Sequence, residues 1–259
     1  DQIDAVDGSG VAKAVPVDGI RVIFVILPAN QGGALADARV RQALNYAVDV
    51  PEIIKTVLRG NGTPLNGQPL EPKHFGIDTS IPAYDYDPDK AKQLLAEAGY
   101  ADGFSLNFHT PNGRYLADAE VAQAIAGYWQ QIGVKVNLQP EEWGVYAQRI
   151  YKQDFDGPYL LGWGDNGLDA DGTLYPMFHT GQVFAYWSIP ELDKAIEDGR
   201  STVDTPARLA AYKEAERMIH DQALWLFLYT QKDIYGVADA LDWQPSFNEK
   251  LNAFTAKWK

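Results

Sequence analysis

Residues 103–165, GFSLNFHTPNGRYLADAEVAQAIAGYWQQIGVKVNLQPEEWGVYAQRIYKQDFDGPYLLGWGD, pass back and forth between a period of two and a period of 3.6, and few folds accommodate that pattern. Phe104, Leu106 and Phe108 alternate as in a half-buried strand, whereas Val121, Ile125, Tyr128 and Ile132 recur at helical spacing. Gly133 ends that helix, and Val134, Val136 and Leu138 alternate again. Trp143, Ala147 and Ile150 then mark a second helix before the apolar Tyr159, Leu160 and Leu161. The spacing therefore predicts a β-α-β-α-β run. Strands joined by single helices run parallel with right-handed crossovers and build a sheet flanked by helices. Ligands of such sheets sit outside the carboxyl ends of the strands, which singles out residues 109–116 and 162–173.

Composition narrows the class. A chain of 259 residues, 46% hydrophobic, can bury about 70–75% of its unfolded surface and needs no covalent staple. A net charge of −13 argues against a nucleic-acid partner or an anionic membrane surface, since phosphate binding requires a basic patch and the 22 Lys and Arg are scattered. The lack of cysteine excludes disulfides, thiolate metal sites and cysteine catalysis, and it fits an oxidising compartment. No apolar run approaches the roughly 18 residues of a membrane span. Seven Trp and 14 Tyr exceed what a core alone needs, and such aromatics often line a ligand cleft.

Residues 1–10 are polar and Gly-rich and look like a loop or a cut edge. Residues 20–27, IRVIFVIL, form a short β-branched run expected to be a strand buried on both faces. Asp37 caps a helix with Val40, Ala43, Leu44 and Ala47 inward, and Pro51 opens the next. Residues 61–86, rich in Gly and Pro without a period, are expected to be a long ordered loop. Asp87-Pro88 starts a further helix. Helices are also expected over residues 172–178, 190–199 and from Thr205, then a buried strand at 224–230 with 234–237 as its neighbour. Trp243, Phe247, Phe254 and Trp258 close the chain without a period and need a partner surface.

Five blocks, RVRQALNYAVD, YDYDPDKAKQLLAEAGY, GRYLADAEVAQAI, QQIGVKVNLQPEEWGVY and LLGWGDNGLDADG, follow one another with short gaps. Together they resemble the C-terminal half of the family 5 extracellular solute-binding proteins, the peptide, nickel and oligosaccharide receptors of ABC importers. The resemblance implies an α/β, periplasmic-binding-protein-like (type II, cluster C) lobe with a central mixed, largely parallel sheet flanked by helices. It implies an extracytoplasmic receptor that closes over a small-molecule or oligopeptide ligand and serves an ABC permease in the membrane, with no cofactor. Residues 28–228 would form the ligand-binding lobe, while 1–27 and 229–259 would cross to or pack on an N-terminal lobe missing here. In dipeptide-binding relatives an Arg before the long helix holds the ligand carboxylate, and Arg114 resembles it in position; a bidentate guanidinium suits that task. In peptide receptors an Asp after the third strand pairs with the ligand amine. Here an ungapped alignment puts Asn166 at that place and Asp165 one step earlier, which leaves a neutral ligand such as a sugar open.

The remaining constellations are weaker. Placing Gly172 at position 6 of a calcium loop puts Gly167 at position 1 and Phe178 at position 12, so Asp165, Asp169 and Asp171 do not make one. His74, His109, His179 and His220 lack paired metal spacing, although His179 falls on the ligand side and keeps a nickel chelate open. No GxSxG elbow occurs, and Glu141 and Glu142 open a helix rather than facing each other as catalytic acids. Trp163 ends a strand at the cleft mouth, where indole can stack on a ligand and donate one hydrogen bond; Tyr115 shares the place of Arg114, and Trp187 with Tyr186 could line the same cleft. Trp129 is expected in the core. The chain is thus read as a non-enzymatic solute-binding lobe, with a sugar receptor, a carbohydrate- or peptide-processing enzyme and a sensory module as alternatives.

Overall fold

The computed structural model describes residues 2–259. The chain runs α1 (Gln2–Asp7), β1 (Ala12–Ile26), α2 (Ala38–Tyr46), α3 (Val50–Thr56), β2 (Gly62–Pro64), α4 (Pro88–Glu97), β3 (Phe104–Asn112), α5 (Asp118–Gln131) and β4 (Val134–Glu142). It continues through α6 (Trp143–Lys152), β5 (Tyr159–Gly164), α7 (Asp171–Phe178), α8 (Pro190–Ser201), α9 (Thr205–Asp221), β6 (Trp225–Ala238), β7 (Leu241–Asp242) and β8 (Lys257–Trp258). Six strands form one sheet in the order β2-β6-β1-β5-β3-β4, and β7 pairs with β8 apart from it.

The β-α-β-α-β run is β3-α5-β4-α6-β5, with β3 parallel to both β4 and β5. From β3 the chain steps outward to β4 and then back past β3 to β5. Right-handed crossovers in opposite directions must put α5 and α6 on opposite faces. They do: Val121, Ile125 and Trp129 of α5 join a core with α2, α3 and α4, while Tyr146 and Ile150 of α6 join a second core with α7, α8 and α9. The sheet is mixed as expected, but antiparallel pairings outnumber parallel ones, because β1 pairs antiparallel with β5 and β6, and β2 with β6. The periodic run constrains only three strands; the rest enter by other connections.

Strand β1 separates the cores. Ile23, Val25 and Leu27 face one, whereas Val22, Phe24 and Ile26 face the other, as a strand buried on both faces requires. Phe24 stacks on Trp225 with ring centroids 3.5 Å apart. The strand is longer than the apolar run: residues 12–18 pair with 232–238 of β6, beyond the last pairing with β5 at Arg21. The register shifts between Asp18 and Val22, where a Cβ on Gly19 would lie 2.7 Å from the Gln231 carbonyl. Residues 224–230 and 234–237 are therefore one strand rather than two neighbours. Residues 2–7 form a helix rather than a loop.

Polar residues in and beside the ordered blocks have structural duties. Asp37, Asp49 and Asp87 cap α2, α3 and α4 by accepting backbone N–H bonds. Arg41 is buried and donates to the carbonyls of Leu35, Ala36 and Gln222, and burial lowers its pKa to about 10. Asn45 donates to the Trp225 carbonyl and accepts from the Phe227 N–H, which locks α2 to β6. Trp129 is fully buried and donates to the Leu44 carbonyl. Residues 61–86 carry β2 and then pack as an ordered segment bridged from Phe75 to Asp169. No helix among the described residues is long and apolar enough to cross a membrane.

Glu216 of α9 supplies a titration test. It is fully buried, its Oε1 accepts the Asp78 N–H at 2.9 Å, and burial lifts its pKa from 4.5 to about 8. Between those values the folded chain keeps a proton that the unfolded chain has released. The stability from this neutral group is therefore complete below pH 4.5 and is lost as pH rises through about 8. Glu216→Gln keeps an acceptor and cannot ionise, so its melting temperature should gain on wild type as pH rises across that window. Parallel curves of melting temperature against pH would contradict the assignment.

Candidate functional site

A cleft of about 410 Å³ opens where the carboxyl ends of β3 and β5 meet the start of α6. Arg114 and Tyr115 border it from the β3–α5 loop, Leu161, Gly162, Trp163 and Gly164 from β5, and Trp143, Ala147, Ile150 and Tyr151 from α6. Arg21 of β1 and Phe184 complete the wall. The cleft adjoins the loops that the sheet rule singled out, and Arg114, Tyr115 and Trp163 come together in it. No Asp or Glu is among its lining residues. The chemistry is two guanidiniums set among aromatic rings, suited to a carboxylate attached to an apolar group.

Arg114 is placed by a residue that the sequence reading passed over. Asp118, buried at the first position of α5, accepts the backbone N–H groups of Gly113 and Ala119 on one oxygen and those of Arg114 and Tyr115 on the other, at 2.8–2.9 Å. Ala117 before it has φ 51°, a left-handed conformation that an alanine adopts only under constraint, and offers no side-chain cap. The carboxylate supplies that constraint and complements the helix dipole. An acidic residue opening a helix directly after a candidate ligand loop was the signal available in sequence. Above this turn the Arg114 guanidinium lies 5.1 Å from the centroids of both Tyr115 and Trp143. Tyr115 itself is buried, with its hydroxyl 3.4 Å from the Gly162 carbonyl. A Cβ on Gly162 would sit 2.8 Å from the Tyr115 ring, so only glycine lets that ring approach β5 this closely.

Trp163 walls the cleft, edge-on to Phe184 at 5.7 Å, but its indole N–H donates to the Gly172 carbonyl at 3.0 Å. It therefore offers a ring face rather than the hydrogen bond expected of it. Arg21 donates from Nε and Nη2 to the Glu249 carboxylate, each at 2.6 Å.

The other expected residues lie elsewhere. Trp187 is buried in the core of α7 and α8, stacked on Phe178 at 5.7 Å and donating to its carbonyl; loop position did not reveal that its ring turns inward. Tyr186 is likewise buried. His179 lies between the Thr180 carbonyl and Glu197 Oε1, each 2.9 Å away, so both ring nitrogens face acceptors and neither presents a lone pair to a nickel chelate. Asp165 follows the cleft wall but turns back on its own loop, accepting the N–H groups of Gly167 and Asp169, and lies 3.7 Å from the buried His74. Asn166 is exposed at the tip of that loop and does not line the cleft. Among the described residues no group of three or more His, Asp or Glu is placed to hold a metal.

Asp118→Ala removes the acceptor of four backbone N–H groups, at least one of which belongs to buried backbone. It should destabilise the chain by about 1–3 kcal/mol in urea unfolding and loosen the Arg114 turn in hydrogen exchange. Unchanged protection of residues 113–116 would contradict this role for the carboxylate.

Comparison with known proteins agrees with this architecture. The model of bacterial extracellular solute-binding proteins, family 5 Middle, matches residues 3–185. Heme-binding protein A of Haemophilus influenzae is 36% identical over 221 residues, which is 80% of this chain and 39% of that protein. The dipeptide-binding protein of Escherichia coli is 34% identical over 203 residues, 73% of this chain and 36% of its own. In structure, the dipeptide-binding protein of Pseudoalteromonas sp. SM9913 in complex with Met-Leu superposes with a TM-score of 0.86 at 23% identity, over 100% of this chain and 52% of that one. The periplasmic binding protein DppA of Helicobacter pylori, in complex with the peptide STSA, gives 0.85 at 22% identity, over 93% and 47%. The chain thus spans about two fifths of the sequence relatives and about half of the solved structures. With the fold, the ordered motifs and a family match over most of its length, this chain belongs to the bacterial extracellular solute-binding proteins of family 5.

Proposed function

We propose that the chain is the ligand-holding lobe of an extracytoplasmic solute receptor of an ABC importer, and that it binds the carboxylate end of a peptide or similar small solute without transforming it. The observation that carries this reading is Arg114, presented by the Asp118-organised turn at the carboxyl end of β3, among Tyr115, Trp143 and Trp163. Its guanidinium forms no ion pair with an acid among the described residues, Glu249 acting on it only through charge, so it offers its fork to a ligand carboxylate. Names of sequence relatives include dipeptide and di/tripeptide binding, which fits that chemistry.

In this scheme residues 12–18 and 232–238, the paired ribbon that runs out of the sheet, carry the chain toward a second lobe. Closure of the two lobes buries the solute, and the importer recognises the closed state. Residues 28–228 remain the lobe proper, although its central strand begins before that boundary. An oligosaccharide ligand is less favoured, since Asn166 stands outside the cleft while two arginines border it. A processing enzyme would need a nucleophile or an acid pair beside the ligand, and the cleft lining supplies hydroxyl only from tyrosine.

Thermal unfolding against di- and tripeptides, oligosaccharides and nickel chelates tests the reading. A ligand at about 100 times its dissociation constant should stabilise the protein by ~2.7 kcal/mol. Peptides with a free carboxylate should raise the melting temperature, and Arg114→Gln should abolish the rise while Trp163→Ala reduces it without unfolding the chain. A rise with sugars alone, or one indifferent to Arg114→Gln, would contradict the proposal.

A further inference from the structure

The cleft contains a second guanidinium whose state differs from that of Arg114. Arg21 enters from β1, the central strand, and lines the same space. All of its donor faces are engaged: Nε and Nη2 on the two oxygens of Glu249, each at 2.6 Å, and Nη1 toward the Gly162 carbonyl at 3.4 Å. Glu249 is 228 residues away, on the C-terminal segment between β6 and β8. Its pKa is lowered by the Arg21 hydrogen bond, and the charge of Arg114 contributes as well. Glu249 has φ 60°, an uncommon conformation for a glutamate.

The geometry is that of an arginine with a bound carboxylate. The carboxylate comes from the chain itself, on a surface segment whose hydrogen bonds run mostly within itself, with Tyr235 of β6 touching Ser246 and Trp243. Leu251, Phe254 and Trp258 around it are exposed, and Lys73 lies 5.5 Å from the Phe247 ring. The other acid facing Arg21 is Asp233 of β6, which forms no hydrogen bond with it and is held up to about 6, first by burial and then by the nearby charge of Glu249. Asp233 is thus poised to balance Arg21 only in part, and Glu249 supplies the bidentate contact.

We infer that Arg21 is a second anion-holding residue of the cleft and that Glu249 is an internal carboxylate occupying its fork, which a carboxylate-bearing solute displaces. This rests on the cleft being the solute site. The tail then sets the threshold for binding: a solute carboxylate must do better at Arg21 than Glu249, which is tethered and costs little entropy to dock. Solutes with two carboxylates, or one carboxylate reaching past Arg114, would gain most from displacing it.

The test uses N-acetylphenylalanine, which carries a carboxylate on an apolar ring, and N-acetylphenylalaninamide, the same molecule without the charge. Both are titrated into the full chain with tryptophan fluorescence as the readout. Glu249→Gln should bind the acid about tenfold more tightly than wild type, the worth of one charge-assisted contact, and bind the amide no differently. The double variant Arg21→Gln, Glu249→Gln should lose that gain. If Glu249→Gln leaves the affinity for the acid unchanged, or tightens acid and amide alike, the inference is overturned. In that case acid binding that still falls in Arg114→Gln leaves the cleft itself standing as the solute site. Failure of both probes to bind any variant overturns the inference and the cleft reading together.

Discussion

Burial of β1 on both faces is the constraint from which the rest of the architecture follows. A strand with Val22, Phe24 and Ile26 on one side and Ile23, Val25 and Leu27 on the other requires an apolar layer on each. α2 to α5 supply one layer and α6 to α9 the other. Truncating a fully buried side chain such as Phe24, stacked on Trp225, typically costs about 3–5 kcal/mol, a large share of a domain's net stability. With the apolar half of β1 sandwiched, the faces of the sheet around it are covered by the two helical layers. The cleft sits at the strand ends because α5 leaves β3 toward one face there while α6 leaves β4 toward the other.

Charge is distributed against the average. The chain carries −13 overall, yet its cleft lining holds two arginines and no acid. Three of the acids that approach are otherwise employed, Asp118 on four backbone N–H groups, Asp165 on two and Glu249 on Arg21, while burial holds Asp233 up to about 6. For the anionic solute proposed above, the cleft would be a local cation inside a repelling surface. Aromatic walls closing on it would lower the local dielectric and strengthen the proposed ion pair. Arg149, paired with Glu141 and Asp154, steadies α6 and with it the Trp143 and Tyr151 side of the cleft.

What could be read from the sequence was what has a period or a rule. The alternation of Phe104, Leu106 and Phe108 against the helical spacing of Val121, Ile125, Tyr128 and Ile132 marked three strands and their direction, and the strand-end rule then pointed to the loops that carry Arg114, Tyr115 and Trp163, Arg114 itself being singled out by the family resemblance. The outer half of β1, with Pro16 and Asp18 among its residues, has no apolar run to announce it, and its pairing with β6 depends on a distant segment. Arg21 and Phe184 escaped for the same reason, since both reach the cleft through tertiary neighbours rather than through the loops the rule names. Trp187 was misplaced because a loop position says nothing of which way an indole turns; a carbonyl partner and the Phe178 ring decide that. The likeness to peptide receptors was legible in ordered blocks, but the fate of the Asp165 carboxylate required the backbone of its loop.

The most direct measurement of the central claim is a ¹H–¹⁵N NMR titration of the chain with a dipeptide, following arginine side chains and tryptophan indoles together. Perturbation centred on the Arg114 guanidinium and the Trp143 indole, with the Trp187 and Trp129 indoles unmoved, is what a carboxylate seated in this cleft predicts. Perturbation centred away from β3, β5 and α6, or on the buried indoles alone, would contradict it.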